Sequence, residues 1–185
     1  GTSAYALLQR ANISKKDIVL IHGATGGVGL TAIEISKAIG STVIATASTD
    51  EKLKVAKEYK ADFCINYSDG NFKDKVKEIT NGKGADIIYD PVGGGIFEQS
   101  LRCIAWNGRL LVIGFASGTI ASAPTNLPLL KNCSIVGVFW GAWREREPDG
   151  HNQNIERVMS WWKEKKVNPK IWKVFDIENT KDALE

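Results

Sequence analysis

The chain has 185 residues, of which 43% are hydrophobic and 24% charged. That is the profile of one globular domain able to bury roughly 70% of its extended surface. A net charge of +3, dispersed along the sequence, argues against a nucleic-acid surface; the densest cluster, Lys163, Lys165 and Lys166 beside Trp161 and Trp162, reads as the solvated side of a helix. No apolar run approaches the ~18 residues of a membrane span, and no secretory leader pattern opens the sequence.

Strand-like and helical runs alternate along the chain, predicting an α/β domain with a parallel sheet covered on both faces. The pattern predicts a helix over Thr2–Arg10, a strand over Asp17–His22 and a helix over Gly27–Ile39. A strand over Thr42–Thr46 precedes a helix over Glu51–Lys60 with Leu53, Val55 and Ala56 inward. Next come a short strand at Asp62–Ile65, a helix at Phe72–Thr80 and a strand at Asp86–Tyr89. Asp90-Pro91 and the run Gly93–Gly95 stop that strand. The next helix, Ile96–Ala105, is expected to end at Asn107-Gly108, before a nearly all-apolar strand over Arg109–Gly114. Phe115–Pro128 reads as a loop, Cys133–Phe139 as a sixth strand, and Asn154–Lys166 as a helix with Ile155, Val158, Met159 and Trp162 on one face. Six strands with intervening helices predict a doubly wound Rossmann sheet in the order 3-2-1-4-5-6.

The first crossover carries the strongest functional signal. The apolar run Ile18–Ile21 feeds into Gly23-Ala24-Thr25-Gly26-Gly27-Val28-Gly29, and Val28, Ala32, Ile35 and Ile39 then recur at helical spacing. Against the fingerprint G-x-G-x-x-G, alanine replaces the first glycine. Strand, glycine turn and helix form the context in which the backbone can approach a pyrophosphate and helix-start N–H groups can point at it.

About 20 residues on, the second strand ends at Ala47-Ser48 without the acid that would accept hydrogen bonds from an unphosphorylated ribose. Lys52 lies one turn into the next helix, and Asp50 and Glu51 sit where acids favour a helix N-terminus. A small neutral strand end with a nearby cation favours a 2′-phosphate, and so NADPH over NADH. An ordinary solvated lysine has the same spacing, so spacing alone does not decide the point.

Cys64, Cys103 and Cys133 are widely separated and form no CxxC pair, which predicts buried thiols and no zinc site. With the absent leader, they point to a reducing, cytoplasmic setting. His22, at the end of the central strand, reads as a hydrogen-bonded interior histidine and His151 carries no signal.

These blocks together resemble the medium-chain dehydrogenase/reductase superfamily, in its zinc-independent quinone oxidoreductase branch. Gly1-Thr2-Ser3-Ala4-Tyr5, the glycine loop, Ile65-Asn66-Tyr67, Asp90-Pro91-Val92-Gly93-Gly94, Gly108–Gly114 and Val136–Gly141 carry the resemblance in order along the chain. It implies that Gly26, Gly27 and Val28 meet the pyrophosphate, and that Ser48, Lys52 and Tyr67 surround the 2′-phosphate. It further implies that Val92 and Gly93 pass beside the ribose and nicotinamide, that Gly114, Phe115 and Ala116 line the nicotinamide ribose, and that Phe139 and Trp140 border the nicotinamide. No catalytic side chain is assigned, because hydride transfer to a quinone asks chiefly for alignment in an apolar cleft.

The resemblance also implies a division at residue 168. Residues 1–168 form the NADPH-binding domain, and 169–185 begin a return to a GroES-like catalytic domain outside this sequence. Ile171–Ile177 accordingly reads as a strand and Asn179–Glu185 as the start of a helix. The expected partners are a small quinone or enone substrate and a second copy paired through the edge strand at 133–139. An enoyl reductase of the same superfamily and a non-catalytic NADPH-binding or structural protein remain the alternative readings.

Overall fold

A computed structural model describes residues 1–68, 70–171 and 173–184. Six parallel strands form one sheet in the order β3-β2-β1-β4-β5-β6: β1 (Ile18–Ile21), β2 (Thr42–Ala47), β3 (Phe63–Asn66), β4 (Ala85–Asp90), β5 (Ile104–Val112) and β6 (Ser134–Gly137). The expected doubly wound order is therefore present.

β1, β2, β4 and β5 alternate their side chains between two cores, as the period of two requires. Val19, Ile21, Val43, Ala45, Ile87, Tyr89 and Leu111 face one core. It is closed by α1 (Thr2–Ala4) and its continuation Tyr5–Arg10, by α2 (Gly27–Ile39), α3 (Asp50–Glu58) and α8 (Pro148–Lys163). Leu20, Ile44, Ile88 and Leu110 face the other, covered by α4 (Phe72–Ile79) and α5 (Gly94–Arg102). Strands buried on both sides explain the apolar runs that stand where simple alternation would otherwise appear.

Several expectations are corrected. The first helix widens after Ala4 into a π-type turn, in which Ala11 N–H reaches Ala6 O at 2.8 Å. The fifth helix stops at Arg102, and β5 begins at Ile104 instead of Arg109, because Ile104 pairs with Ala85. Asn107-Gly108, expected to end that helix, instead lies within β5, where the register shifts and Asn107 adopts φ 61°. The segment 115–128 expected as a loop enters α6 (Asn126–Lys131), and Trp140–Arg146 forms a helix of its own, α7.

α8 starts six residues before the expected Asn154 and turns a different face inward. Asn154 and Trp161 are buried and Val158 half-buried, whereas Ile155, Met159 and Trp162 are exposed. The physical reason is the neighbour: Gln9 Nε2 donates to Asn154 Oδ1 at 3.1 Å, so the polar residue faces the first helix. No strand forms among the described residues of 171–177, where Ile171, Val174 and Ile177 are exposed; α9 (Thr180–Leu184) follows a short 3-10 turn at Ile177–Asn179. Trp172 and Glu185, which belong to the expected strand and helix, lie outside the described residues. Among the described residues no helix is long and apolar enough to cross a membrane.

Candidate functional site: a glycine crossover beside two cavities

The glycine turn is built for close approach. Gly23 takes φ +54°, and Gly26 enters α2 in an extended conformation with no side-chain cap. The first helical bond runs from Leu30 N–H to Gly26 O at 2.9 Å, so the N–H groups of Gly27, Val28 and Gly29 have no intrahelical acceptor. A methyl group at Gly27 would meet no heavy atom within 4 Å, whereas one at Gly29 would strike Ala24 Cα at 2.7 Å. Open space at Gly27 and close packing at Gly29 are the division of labour that a pyrophosphate cradle requires. The donors, the room and the helix dipole all fit a dinucleotide.

A cavity of about 260 Å³ opens beside this turn, lined by Gly23, Thr25, Gly26, Val28, Ala47, Ser48, Lys52, Tyr67, Pro91, Val92 and Ala116. Seven residues expected from the sequence thus meet: Gly26, Val28, Ser48, Lys52, Tyr67, Val92 and Ala116. Lys52 Nζ donates to Ser48 Oγ, four residues back, at 3.2 Å, while Thr49 caps α3 by accepting the Lys52 backbone N–H through its Oγ1. Among the described residues no acid lines this cavity. The nearby Asp50 accepts a hydrogen bond from Asn66 Nδ2 at 3.0 Å.

The wall opposite the glycine turn hangs on Asp90. Its Oδ1 accepts the N–H groups of Val92 at 2.8 Å and Gly93 at 2.9 Å. Ala116 N–H donates to Pro91 O and Ser117 N–H to Val92 O, each at 3.0 Å, tying the loops after β4 and β5 together. Gly93, at φ +71°, permits this contact, since a methyl there would meet the Phe115 ring at 2.9 Å.

Gly114, Phe115 and Phe139 instead line a larger cavity of about 610 Å³, with Tyr5, Arg10, Trp143, Arg146 and Glu147 among its other walls. The two cavities share the loop after β5, which gives Phe115 to the larger and Ala116 to the smaller. Trp140 lines neither cavity: its ring packs against Gly1 and His151, with the Arg144 guanidinium 5.2 Å from its centre.

His22 is fully buried and bonded at both ring nitrogens, as expected for an interior histidine. Ser100 Oγ donates to Ile96 O at 2.7 Å, so it accepts from His22 Nε2 at 2.8 Å. Nδ1 then accepts from Thr46 Oγ1 at 2.9 Å. Burial holds the imidazole down to about 4 against the opposing charge of Asp90, so His22 is neutral near pH 7. It braces the end of β2, two residues before Ser48. Cys103 is buried, with its thiol pushed up to about 12 by burial, while Cys64 and Cys133 are half-buried and not sealed in the core as expected.

Sequence reasoning reached the glycine turn and Lys52 through local spacing. It missed the His22–Thr46–Ser100 brace and the arginine-bearing cavity, because their members are distant in sequence and meet only across the sheet.

A parallel sheet with a glycine-rich first crossover and ligand space over its carboxyl ends defines the dinucleotide-binding class of α/β proteins. The chain belongs to the zinc-binding dehydrogenase family, whose model matches residues 27–157, within the medium-chain dehydrogenase/reductase superfamily. It is 37% identical over its whole length to the quinone oxidoreductase-like protein 2 homolog of Nematostella vectensis, covering 51% of that protein. Among solved structures, it resembles a quinone oxidoreductase of Pseudomonas syringae pv. Tomato DC3000 with a TM-score of 0.86 and 26% identity, over 98% of this chain and 56% of the other. A mycobacterial protein solved in complex with NADPH gives a TM-score of 0.84 and 27% identity, over 90% and 52% of the two chains. The chain spans about half the length of the curated relatives it matches. Among the described residues no three His, Cys, Asp or Glu side chains group to hold a metal.

Proposed function

We propose that this chain is the cofactor-binding portion of an NADPH-dependent oxidoreductase that reduces a quinone or a similar electrophilic carbonyl compound. One observation carries the reading: the Lys52 ammonium and the Ser48 hydroxyl converge beside the glycine turn in a cavity that no acid lines among the described residues. A 2′-phosphate there gains a cation and a hydroxyl donor, whereas a plain ribose lacks its usual carboxylate.

Gly26, Gly27 and Val28 would hold the pyrophosphate by backbone N–H groups; Ser48, Lys52 and Tyr67 would hold the adenosine phosphate. Val92, Gly93, Gly114, Phe115 and Ala116 would flank the nicotinamide half, with Phe139 nearby; Trp140 would reach it only by leaving Gly1 and His151. The bound coenzyme supplies a hydride, and the chain's own residues align it and exclude water. Residues 1–168 would form the coenzyme domain and 169–185 would lead toward a GroES-like domain, consistent with relatives about twice as long. The reading includes zinc-independent chemistry, a cytoplasmic setting and a homodimer joined through β6, whose outer edge is open in the sheet order.

Calorimetric titration of the chain with NADPH and NADH tests the cofactor. At least tenfold tighter binding of NADPH is expected, and equal affinities would refute the selectivity. Steady-state NADPH oxidation by the full-length protein, with quinones and then enones, tests the reaction. Turnover of enones alone would make it an enoyl reductase, and tight binding without turnover a binding protein.

A further inference from the structure

The larger cavity has a chemical character that cofactor binding does not require. Four aromatic side chains, Tyr5, Phe115, Phe139 and Trp143, stand on its walls, and Tyr5 stacks on Trp143 with ring centres 4.2 Å apart. Two arginines, Arg10 and Arg146, line it as well.

The other four arginines are engaged elsewhere. Arg102 pairs with Glu98 at 3.0 Å and Arg109 with Asp17 at 2.8 Å. Arg144 lies over Trp140 and Arg157 over Trp161. Among the described residues, Arg10 and Arg146 have neither an ion-pair partner nor a ring. Arg10 Nε donates to Gly137 O at 3.0 Å, which anchors the side chain on β6 while its terminal nitrogens stay available. Glu147 brings one negative charge to the same wall, leaving the lining with an excess of one positive charge.

We propose that this cavity binds a planar, conjugated carboxylic acid, its ring system among the four aromatic side chains and its carboxylate paired with Arg10 and Arg146. Flat aromatic walls favour a flat ligand, and a guanidinium fork matches a carboxylate by two parallel hydrogen bonds. The cavity touches the loop after β5 through Gly114 and Phe115, so in the NADPH-dependent reading this acid is the acceptor. A C=C bond conjugated to its carboxylate takes the coenzyme's hydride at the β carbon and a solvent proton at the α carbon, giving the saturated acid and NADP⁺. That role, though not the binding itself, rests on that reading.

The test is calorimetric titration of the 185-residue chain with 2-naphthoate and with its neutral isostere 2-naphthamide at low ionic strength. The acid should bind about tenfold more tightly or better, the scale of a hydrogen-bonded charge pair. Arg146→Met and Arg10→Gln should each remove most of that preference while leaving the amide's affinity unchanged, and Arg146→Lys should retain part of it. Equal binding of acid and amide, no binding of either, or a preference that survives both substitutions would overturn the proposal. Should Arg10→Gln unfold, the exposed Arg146 pair of variants decides alone. NADPH titration of the same samples separates the two readings: failure to bind coenzyme would remove the acceptor role and leave the naphthoate result standing.

Discussion

Gly29 and Gly23 face each other so closely across the first crossover that no side chain fits between them. A Cβ on Gly29 would run into the Gly23 carbonyl oxygen and come within 2.7 Å of Ala24 Cα. These are backbone atoms at the turn joining β1 to α2, and they cannot swing aside as a flexible side chain could. Gly29→Ala should therefore cost about 1–3 kcal/mol, the range for overpacking, and push α2 away from the turn. Urea unfolding would read the lost stability, and a lower affinity for NADPH should accompany it. Gly27→Ala, at a position with open space, should spare stability and weaken only coenzyme binding.

Lys52 makes its hydrogen bond to Ser48 at an exposed position, so its removal should disturb the fold little. Lys52→Ala should weaken NADPH binding by about 1.5–3 kcal/mol, the range for hydrogen bonds to charged groups, and leave NADH nearly unaffected. Parallel titrations at two salt concentrations would check this, since the loss should shrink as salt screens the phosphate. Equal losses for both coenzymes would separate Lys52 from the 2′-phosphate.

His22 should make stability fall on acidification. Its folded pKa is lowered from 6.5 to about 4, chiefly by desolvation. As pH drops below about 6.5, the unfolded chain binds a proton that the folded chain refuses, and the penalty grows until pH approaches 4. The full effect is about 3 kcal/mol, since each tenfold loss of proton affinity is worth about 1.4 kcal/mol. His22→Gln should flatten that part of the curve, which denaturant titrations between pH 4 and 7.5 would reveal. An unchanged slope would mean that another group dominates.

β6 ends the sheet with Ile135 partly exposed at 38%. If a second copy pairs there, Ile135→Lys should convert a dimer into a monomer while leaving NADPH affinity intact, because a charged edge resists strand addition. Light scattering after size exclusion would decide it, and a wild-type chain that elutes as a monomer would count against pairing through this edge alone.

Local chemistry made much of this protein readable in advance. The strand order follows from alternating apolar runs and crossover connections, and the α2 boundaries at Gly27 and Ile39 follow from glycines and a clean helical period. The family resemblance grouped Ser48, Lys52 and Tyr67, and the three line one cavity.

Where an apolar residue suited two structures, long-range pairing decided. Ile104 could have continued α5, but it pairs with Ala85 and so starts β5. Ile155, Met159 and Trp162 carry the helical period of a buried face, yet Trp161 and Asn154 are the residues turned toward the first helix. Sequence periodicity records which residues share a stripe; it carries no information about which neighbour that stripe meets. Arg10 and Arg146, 136 positions apart in the chain, come to one cavity only when β6 and the first helix are brought together. The amino-acid order by itself determined the strands, the glycine crossover and the charge at the end of β2, since each arises within a few neighbouring residues. Tertiary structure alone decided the two cavities and the bracing of His22, because those depend on contacts whose free energy appears only after the sheet has closed.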